Sequence, residues 1–196
     1  MAHELAEMLV GLTPALEGAA RATDDPMEVH RLSVGGGEAA LAVVEAALTE
    51  AEIKPVSVAG PPTDGAVESI KAARESGRRV AVVSNNSAEC VRAYLSLNRI
   101  LSVVDEVVGR PVLRPDLMKP SPHPLLEVAS RLGVPPERTV LIGDSVTDIE
   151  ASRAASARSV GFANKPTKAV ALAEAGADVV VVDMNSVARA FAESEL

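Results

Sequence analysis

The chain has 196 residues, 47% of them hydrophobic but only 2% aromatic, so it suffices for one domain or a domain with a small appendage, with an aliphatic core. A formal charge of −8 argues against nucleic acid or an anionic membrane surface as main partner. A single cysteine, Cys90, excludes an intrachain disulfide and reads as a small core hydrophobe.

Glu4 and Glu7 precede any apolar run, and no basic leader is present, so the N-terminus does not read as a signal peptide. No stretch approaches the roughly 20 apolar residues of a membrane helix, and the expectation is a soluble, cytoplasmic protein. Residues 1–53 read as helices alone. Leu5, Met8, Leu9 and Leu12 have helical spacing, as do Leu16, Ala19 and Ala20. A third helix is predicted from Pro26 to about Ser33, with Asp24-Asp25-Pro26 supplying cap, acid and first-turn proline. Gly35-Gly36-Gly37 reads as a helix start or hinge, since no strand precedes it and no Gly-Lys-Ser/Thr follows. Glu38–Ile53 is the clearest helix, with Leu41, Val44, Ala47, Leu48 and Ala51 on one face.

Lys54–Thr63, rich in Pro and Gly, is read as a linker. Beyond it, helical patterns alternate with short Val-rich runs. Strands are predicted at 79–83, 103–108, 139–142, 159–162 and 178–182, and helices at 64–76, 87–97, 122–132, 147–156, 167–175 and 185–194. Such alternation means an α/β fold: a parallel sheet flanked by helices.

Three strand ends carry polar signals. Val80–Val83 runs into Ser84-Asn85-Asn86-Ser87 and then a helix, where hydroxyl, amide and free N–H groups suit an anion; an ordinary N-cap by Ser87 is the other reading. In Met118-Lys119-Pro120-Ser121-Pro122, Ser121 reads as N-cap, and Lys119 is held on a stiff loop, suited to a point-charge contact with phosphate. Thr139–Ala155 reads as a strand buried on both faces, a tight turn at Gly143, and Asp144 and Asp148 on one side of a helix start. Two carboxylates there suit Mg²⁺ shared with a substrate phosphate, the alternative being that Asp144 caps the helix and Asp148 favours its positive end.

Taken in order, VAVVSNNS, Lys119 in KPSPHPLLEVASRLGV, and GDSVTDIEASRAA resemble the haloacid dehalogenase superfamily of hydrolases, mostly Mg²⁺-dependent phosphatases. The resemblance covers roughly residues 55–192, and ADVVVVDMNSVARAF is similar to that family's closing strand and helix. It implies a Rossmann-like core over 55–196 and a small helical cap over 1–54, as in phosphoglycolate-phosphatase-like members. It further implies that Ser84 bonds the transferring phosphoryl group with Asn85 assisting, that Lys119 neutralises phosphate and nucleophile, and that Asp144 ligates Mg²⁺. Asp148 would hold the metal or its waters from outside the ligand set.

The family's nucleophile is the first aspartate of a D-x-D-x-T/V motif ending an apolar strand, and this sequence has no such strand. Asp24 and Asp25 lie in a polar turn, Asp64 lies in the linker, and Val179–Asn185 fits only superficially. The absent strand would be central, between those ending at Ser84 and Asp144, so the expectation is a start placed at an internal Met1. The resemblance then implies a Mg²⁺-dependent phosphatase acting on a small phosphorylated metabolite. The alternative is a phosphate- and metal-binding protein without the covalent step. A receiver-like or nucleotide-binding domain is disfavoured by the absence of G-x-G-x-x-G, a Walker loop and a first-strand acidic cluster. Arg21, His30 and Arg31 are the cap's scattered polar candidates for substrate contact but read rather as surface residues, and His3, His30 and His123 are too dispersed for zinc. Substrate identity and oligomeric state are not legible in the sequence.

Overall fold

The computed structural model describes residues 1–194. Helices α1 (Ala2–Leu12), α2 (Glu17–Arg21), α3 (Pro26–Leu32) and α4 (Gly37–Ile53) make up the N-terminal segment. Their apolar stripes meet in one cluster: Leu5, Ala6 and Leu9 of α1, Ala20, Val29, and Ala40, Val44 and Leu48 of α4. Leu9, Val44 and Leu48 are fully buried, each side chain contributing about 1.5–3 kcal/mol through burial. Asp25 caps α3, accepting from Met27 N at 2.9 Å, and Gly37 starts α4 at φ 81°, a conformation that favours glycine.

Two expectations are corrected here. The helical path does not end at Ile53 but continues as a 3₁₀ turn over Lys54–Val58, with Pro55 in its first turn, where a missing N–H is tolerated. The resulting run Pro26–Val58 contains an 18-residue window of mean hydropathy 1.3, long and apolar enough to cross a membrane by length and composition. In the fold, its Leu41, Val44 and Leu48 are buried, as are Glu45 and Glu52 on the same helix.

The α/β segment follows as α5 (Ala66–Glu75), β1 (Ala81–Val83), α6 (Ala88–Leu97), β2 (Glu106–Val108), α7 (His123–Leu132), β3 (Val140–Gly143), α8 (Val146–Ala154), β4 (Arg158–Phe162), α9 (Lys168–Glu174), β5 (Val179–Val181) and α10 (Met184–Glu193). All pairing is parallel, but it falls in two sheets, β1-β2 and β3-β4-β5. Inner strands β1 and β3 are not hydrogen-bonded to each other. Both pack on one apolar cluster, Val83 and Leu141 lying against Leu125 of α7, Ala151 of α8 and Ala155 just after it. Helices α5 and α10 close on each other, where Ser69 Oγ donates to Met184 O at 2.8 Å.

The expected burial of the third strand on both faces does not hold: Val140 is 44% exposed and Leu141–Gly143 are half-buried. A strand paired on one side only leaves an edge where its side chains meet fewer neighbours. The strand expected over 103–108 is shorter, β2 covering only Glu106–Val108, and Val103 closes a 3₁₀ turn over Leu101–Val103 instead. Val103 and Val104 still pack against Leu95, Ile100 and Val107, so an apolar run satisfies burial without ladder pairing.

At the end of β2, Gly109 approaches the backbone of α6 so closely that an added Cβ would fall on Ala88 N and 2.6 Å from its Cα. Backbone cannot swing aside as a side-chain tip can. Gly109→Ala is therefore expected to lower the unfolding free energy by roughly 1–3 kcal/mol in urea titration; an unchanged midpoint would show that this approach is not constrained.

Candidate functional site

The carboxyl ends of β1 and β3, where open parallel sheets place ligands, carry the polar residues picked out in the sequence. Lys119 lies on the loop between β2 and α7, its side chain 11% exposed. Its Nζ lies 2.6 Å from Asp148 Oδ1 and donates to Val83 O at 3.3 Å. Asn85 clasps the lysine backbone at both ends: Lys119 N donates to Asn85 Oδ1 at 2.9 Å, and Asn85 Nδ2 donates to Lys119 O at 3.1 Å. Segments 34 residues apart in sequence are thereby locked together.

Ser84 is half-buried beside this clasp. Its N–H continues the β1–β2 ladder to Val108 O, and its Oγ accepts from Asn86 N at 3.1 Å. The hydroxyl keeps its own proton to donate. Ser87 is the N-cap of α6, accepting from Cys90 N at 3.2 Å. The two readings of this turn thus divide between residues: Ser87 caps the helix while Ser84 faces the strand ends.

Asp148 is buried at the start of α8 within a reciprocal capping box. Ser145 Oγ accepts from Asp148 N at 3.2 Å, and Asp148 Oδ2 accepts from Ser145 N at 3.1 Å and Ser145 Oγ at 2.7 Å. Burial pushes the Asp148 carboxyl up, but the charge of Lys119 and bonds from Lys119 and Ser145 outweigh it, leaving it below the usual carboxylate range. Gly143 serves this arrangement by being small: an added Cβ would sit 2.5 Å from Asp148 Cγ and Oδ2. Its φ is not positive, so the tight turn expected there is replaced by a need for room.

Asp144 stands apart from the clasp. Ser145, not Asp144, is the cap, so Asp144 precedes α8 and does not share a helix face with Asp148. Its Oδ2 accepts from Lys168 Nζ at 2.5 Å and Asn164 Nδ2 at 2.9 Å, and its side chain is 46% exposed. Both bonds fall on one oxygen, leaving Oδ1 without a protein partner among the described residues. The described residues hold no group of three or more His, Cys, Asp and Glu side chains placed for a metal. Mg²⁺ commonly takes one or two carboxylates and fills the rest with water and substrate phosphate, so the residues fit it through Asp144. Both Asp148 oxygens already accept from protein donors, Oδ1 from Lys119 and Oδ2 from Ser145.

A second polar cluster escaped the sequence reading. Arg110, just past β2, has a fully buried guanidinium lying 2.7 Å from Glu45 Oε1 and 2.5 Å from Glu52 Oε1, and it donates to Thr49 Oγ1 at 3.0 Å. The positions 45, 49 and 52 recur along one face of α4, a spacing visible in sequence, though their partner lies some 60 residues away. His30, expected at the surface, is fully buried with Nε2 2.9 Å from Glu45 Oε2, and neither ring nitrogen is aligned as a hydrogen bond. Burial pushes Glu45 up, yet contact with His30 and Arg110 lowers it from 4.5 to about 2. Arg21 and Arg31 remain partly exposed, paired with Glu7 and Glu17 and with Glu28.

A family model described as haloacid dehalogenase-like hydrolase matches residues 15–156. The phosphoglycolate phosphatase of Nitrosococcus oceani is 36% identical over 92 residues, 47% of this chain and 40% of that protein, so the chain spans less than half of that relative's length. A haloacid dehalogenase-like protein of unknown function from Agrobacterium tumefaciens superposes with a TM-score of 0.63 at 26% identity, over 71% of this chain and 64% of that one. A hydrolase of the same superfamily from Deinococcus radiodurans, solved with bound phosphate and sodium, gives 0.61 at 28% identity, over 79% and 66%.

Asp148 and Glu45 both have depressed carboxyls when folded. Their stabilisation is fully present above the unfolded values and is lost as pH falls through the folded ones. The unfolding free energy should therefore decline as pH is taken from about 4.5 toward 2, and Glu45→Gln should shrink that decline. At pH 7, Lys119→Met, which leaves Asp148 buried and unpaired, should cost about 3–5 kcal/mol. An undiminished acid decline in Glu45→Gln, or a Lys119→Met chain as stable as the parent, would contradict these assignments.

Proposed function

The chain belongs to the haloacid dehalogenase-like hydrolases, and from that premise we propose that it carries the phosphate-handling site of a Mg²⁺-dependent phosphatase. The substrate would be a small phosphorylated metabolite of the phosphoglycolate type. The observation that carries this reading is the convergence of Ser84, Lys119 and Asp148 from three separate segments onto the ends of β1 and β3.

Phosphoryl transfer depends on positioning and charge neutralisation more than on elaborate covalent chemistry. Lys119 supplies a fixed positive charge, held ready by Val83 O and Asp148 rather than ordered at the moment of binding. The Ser84 hydroxyl donates to a phosphate oxygen. Asn85, whose amide is committed to the Lys119 backbone, serves the phosphate by holding that lysine. Asp144, through its open oxygen, would hold Mg²⁺, which lowers the charge on the phosphate and fixes its orientation. Residues 1–54 act as the cap that selects the leaving group, and the acidic net charge turns large polyanions away.

A nucleophilic carboxylate is not among the described residues beside Lys119. Among the described residues Asp148 is the only carboxylate it pairs with, and both Asp148 oxygens are occupied. Asp183 caps α10 through Ser186 N at 2.9 Å. This favours, as second reading for these residues alone, binding of phosphate and metal without the covalent step.

With p-nitrophenyl phosphate and Mg²⁺, the 196-residue chain is expected to show no turnover above background. It should nonetheless bind inorganic phosphate saturably, and Ser84→Ala should weaken that binding about tenfold, as loss of a hydrogen bond to a charged group does. Asp144→Asn should remove any enhancement by Mg²⁺. Robust Mg²⁺-dependent turnover would overturn the account of the nucleophile, and absence of phosphate binding would overturn the site.

A further inference from the structure

Three backbone groups of the turn after β1 are held by Arg110 and by its ion-pair partner Glu52. Arg110 Nη1 donates to Asn85 O at 3.1 Å, Arg110 N donates to Asn86 O at 2.8 Å, and Ser87 N donates to Glu52 Oε2 at 2.8 Å. The same guanidinium reaches Glu45, Thr49 and Glu52 on α4. A connector that merely cemented α4 to the α/β segment would need the charges but not the loop carbonyls.

The geometry of a peptide group makes these carbonyls consequential. In a trans peptide the C=O of one residue and the N–H of the next point in opposite directions. Drawing Asn85 O toward Arg110 therefore turns Asn86 N–H away from it, and that N–H lands on Ser84 Oγ at 3.1 Å. The Ser84 oxygen is thus engaged as an acceptor, leaving its proton as the group directed at an anion. Arginine suits the task because its planar fork serves several acceptors at once, which a lysine ammonium on a flexible stem does not.

We propose that Arg110 is the positioning residue of the Ser84–Ser87 turn, setting the direction of the Ser84 hydroxyl while bracing the turn against Glu45, Thr49 and Glu52 of α4. This rests on the reading of Ser84 as a phosphate donor. It also makes the seating of α4 and the readiness of the phosphate site one equilibrium, because the same guanidinium serves both.

The test uses the full chain with Arg110→Lys, which keeps the charge but not the fork. Two quantities are read: amide hydrogen exchange at Asn86 and Ser87, and the dissociation constant for inorganic phosphate. Expected are exchange at those two amides about tenfold or more faster with β3–β5 unchanged, and phosphate affinity lower by about tenfold. Should Arg110→Lys fail to fold, the isosteric Glu52→Gln is read the same way, with Ser87 exchange rising and affinity falling together. Unchanged exchange overturns the brace, and faster exchange with parental affinity overturns its service to the site. If the parent chain binds no phosphate, the phosphate reading fails, while the exchange measurement still decides whether Arg110 sets the turn.

Discussion

The buried ion pair between Lys119 and Asp148 is the interaction on which the rest of the site depends. It joins the loop before α7 to the first turn of α8, and through Val83 O it also reaches the end of β1. These are pieces of two sheets that share no backbone hydrogen bond. A charge pair so placed costs desolvation and is tolerable only when its remaining donors and acceptors are met. Val83 O accepts a second proton of Lys119 Nζ, the Ser145 capping box fills Asp148 Oδ2, and the Asn85 clasp fixes the lysine backbone. The pair is weak evidence of stability in itself, and it fixes the Lys119 ammonium at the strand ends.

A second buried charge cluster supports the first from behind. Arg110 is balanced by Glu45 and Glu52 and attached to the carbonyls that orient the Ser84–Ser87 turn. The two clusters meet at Asn85, whose side chain holds Lys119 and whose carbonyl is held by Arg110. Helix α4, read as one of several cap helices, is therefore also part of the structure behind the site. Two buried cations stand in this one region, Arg110 balanced by Glu45 and Glu52 and Lys119 by Asp148.

Much of this was legible in the sequence because the signals are local. Element order follows from helical and strand periodicity, and the caps at Asp25 and Ser87 fall where short polar side chains precede apolar runs. Ser84, Lys119 and Asp148 were found because each follows a strand or starts a helix, and their order matches one family. The failures have physical causes of a different kind. Gly143 was taken for a turn residue, but what it supplies is room for Asp148, a contact invisible without coordinates. Asp144 and Asp148 were grouped by spacing, yet helix α8 begins at Val146, so helical geometry does not relate them. Arg110, Glu45 and Glu52 pair across more than 50 residues, and a lone charged residue gives no hint of its partner. His30 sits among charges on the buried side of α3, where its polarity argued for the surface.

The central claim is that the paired Lys119 and the free Ser84 proton together form an anion site at the ends of β1 and β3. A crystal structure of the chain grown with Mg²⁺ and soaked in tungstate, a heavy phosphate mimic, tests it most directly. The account predicts tungstate oxygens within hydrogen-bond distance of both Lys119 Nζ and Ser84 Oγ, roughly 2.7–3.2 Å, with the Asn85 clasp intact. Tungstate bound elsewhere, with this pocket holding only water, would contradict it.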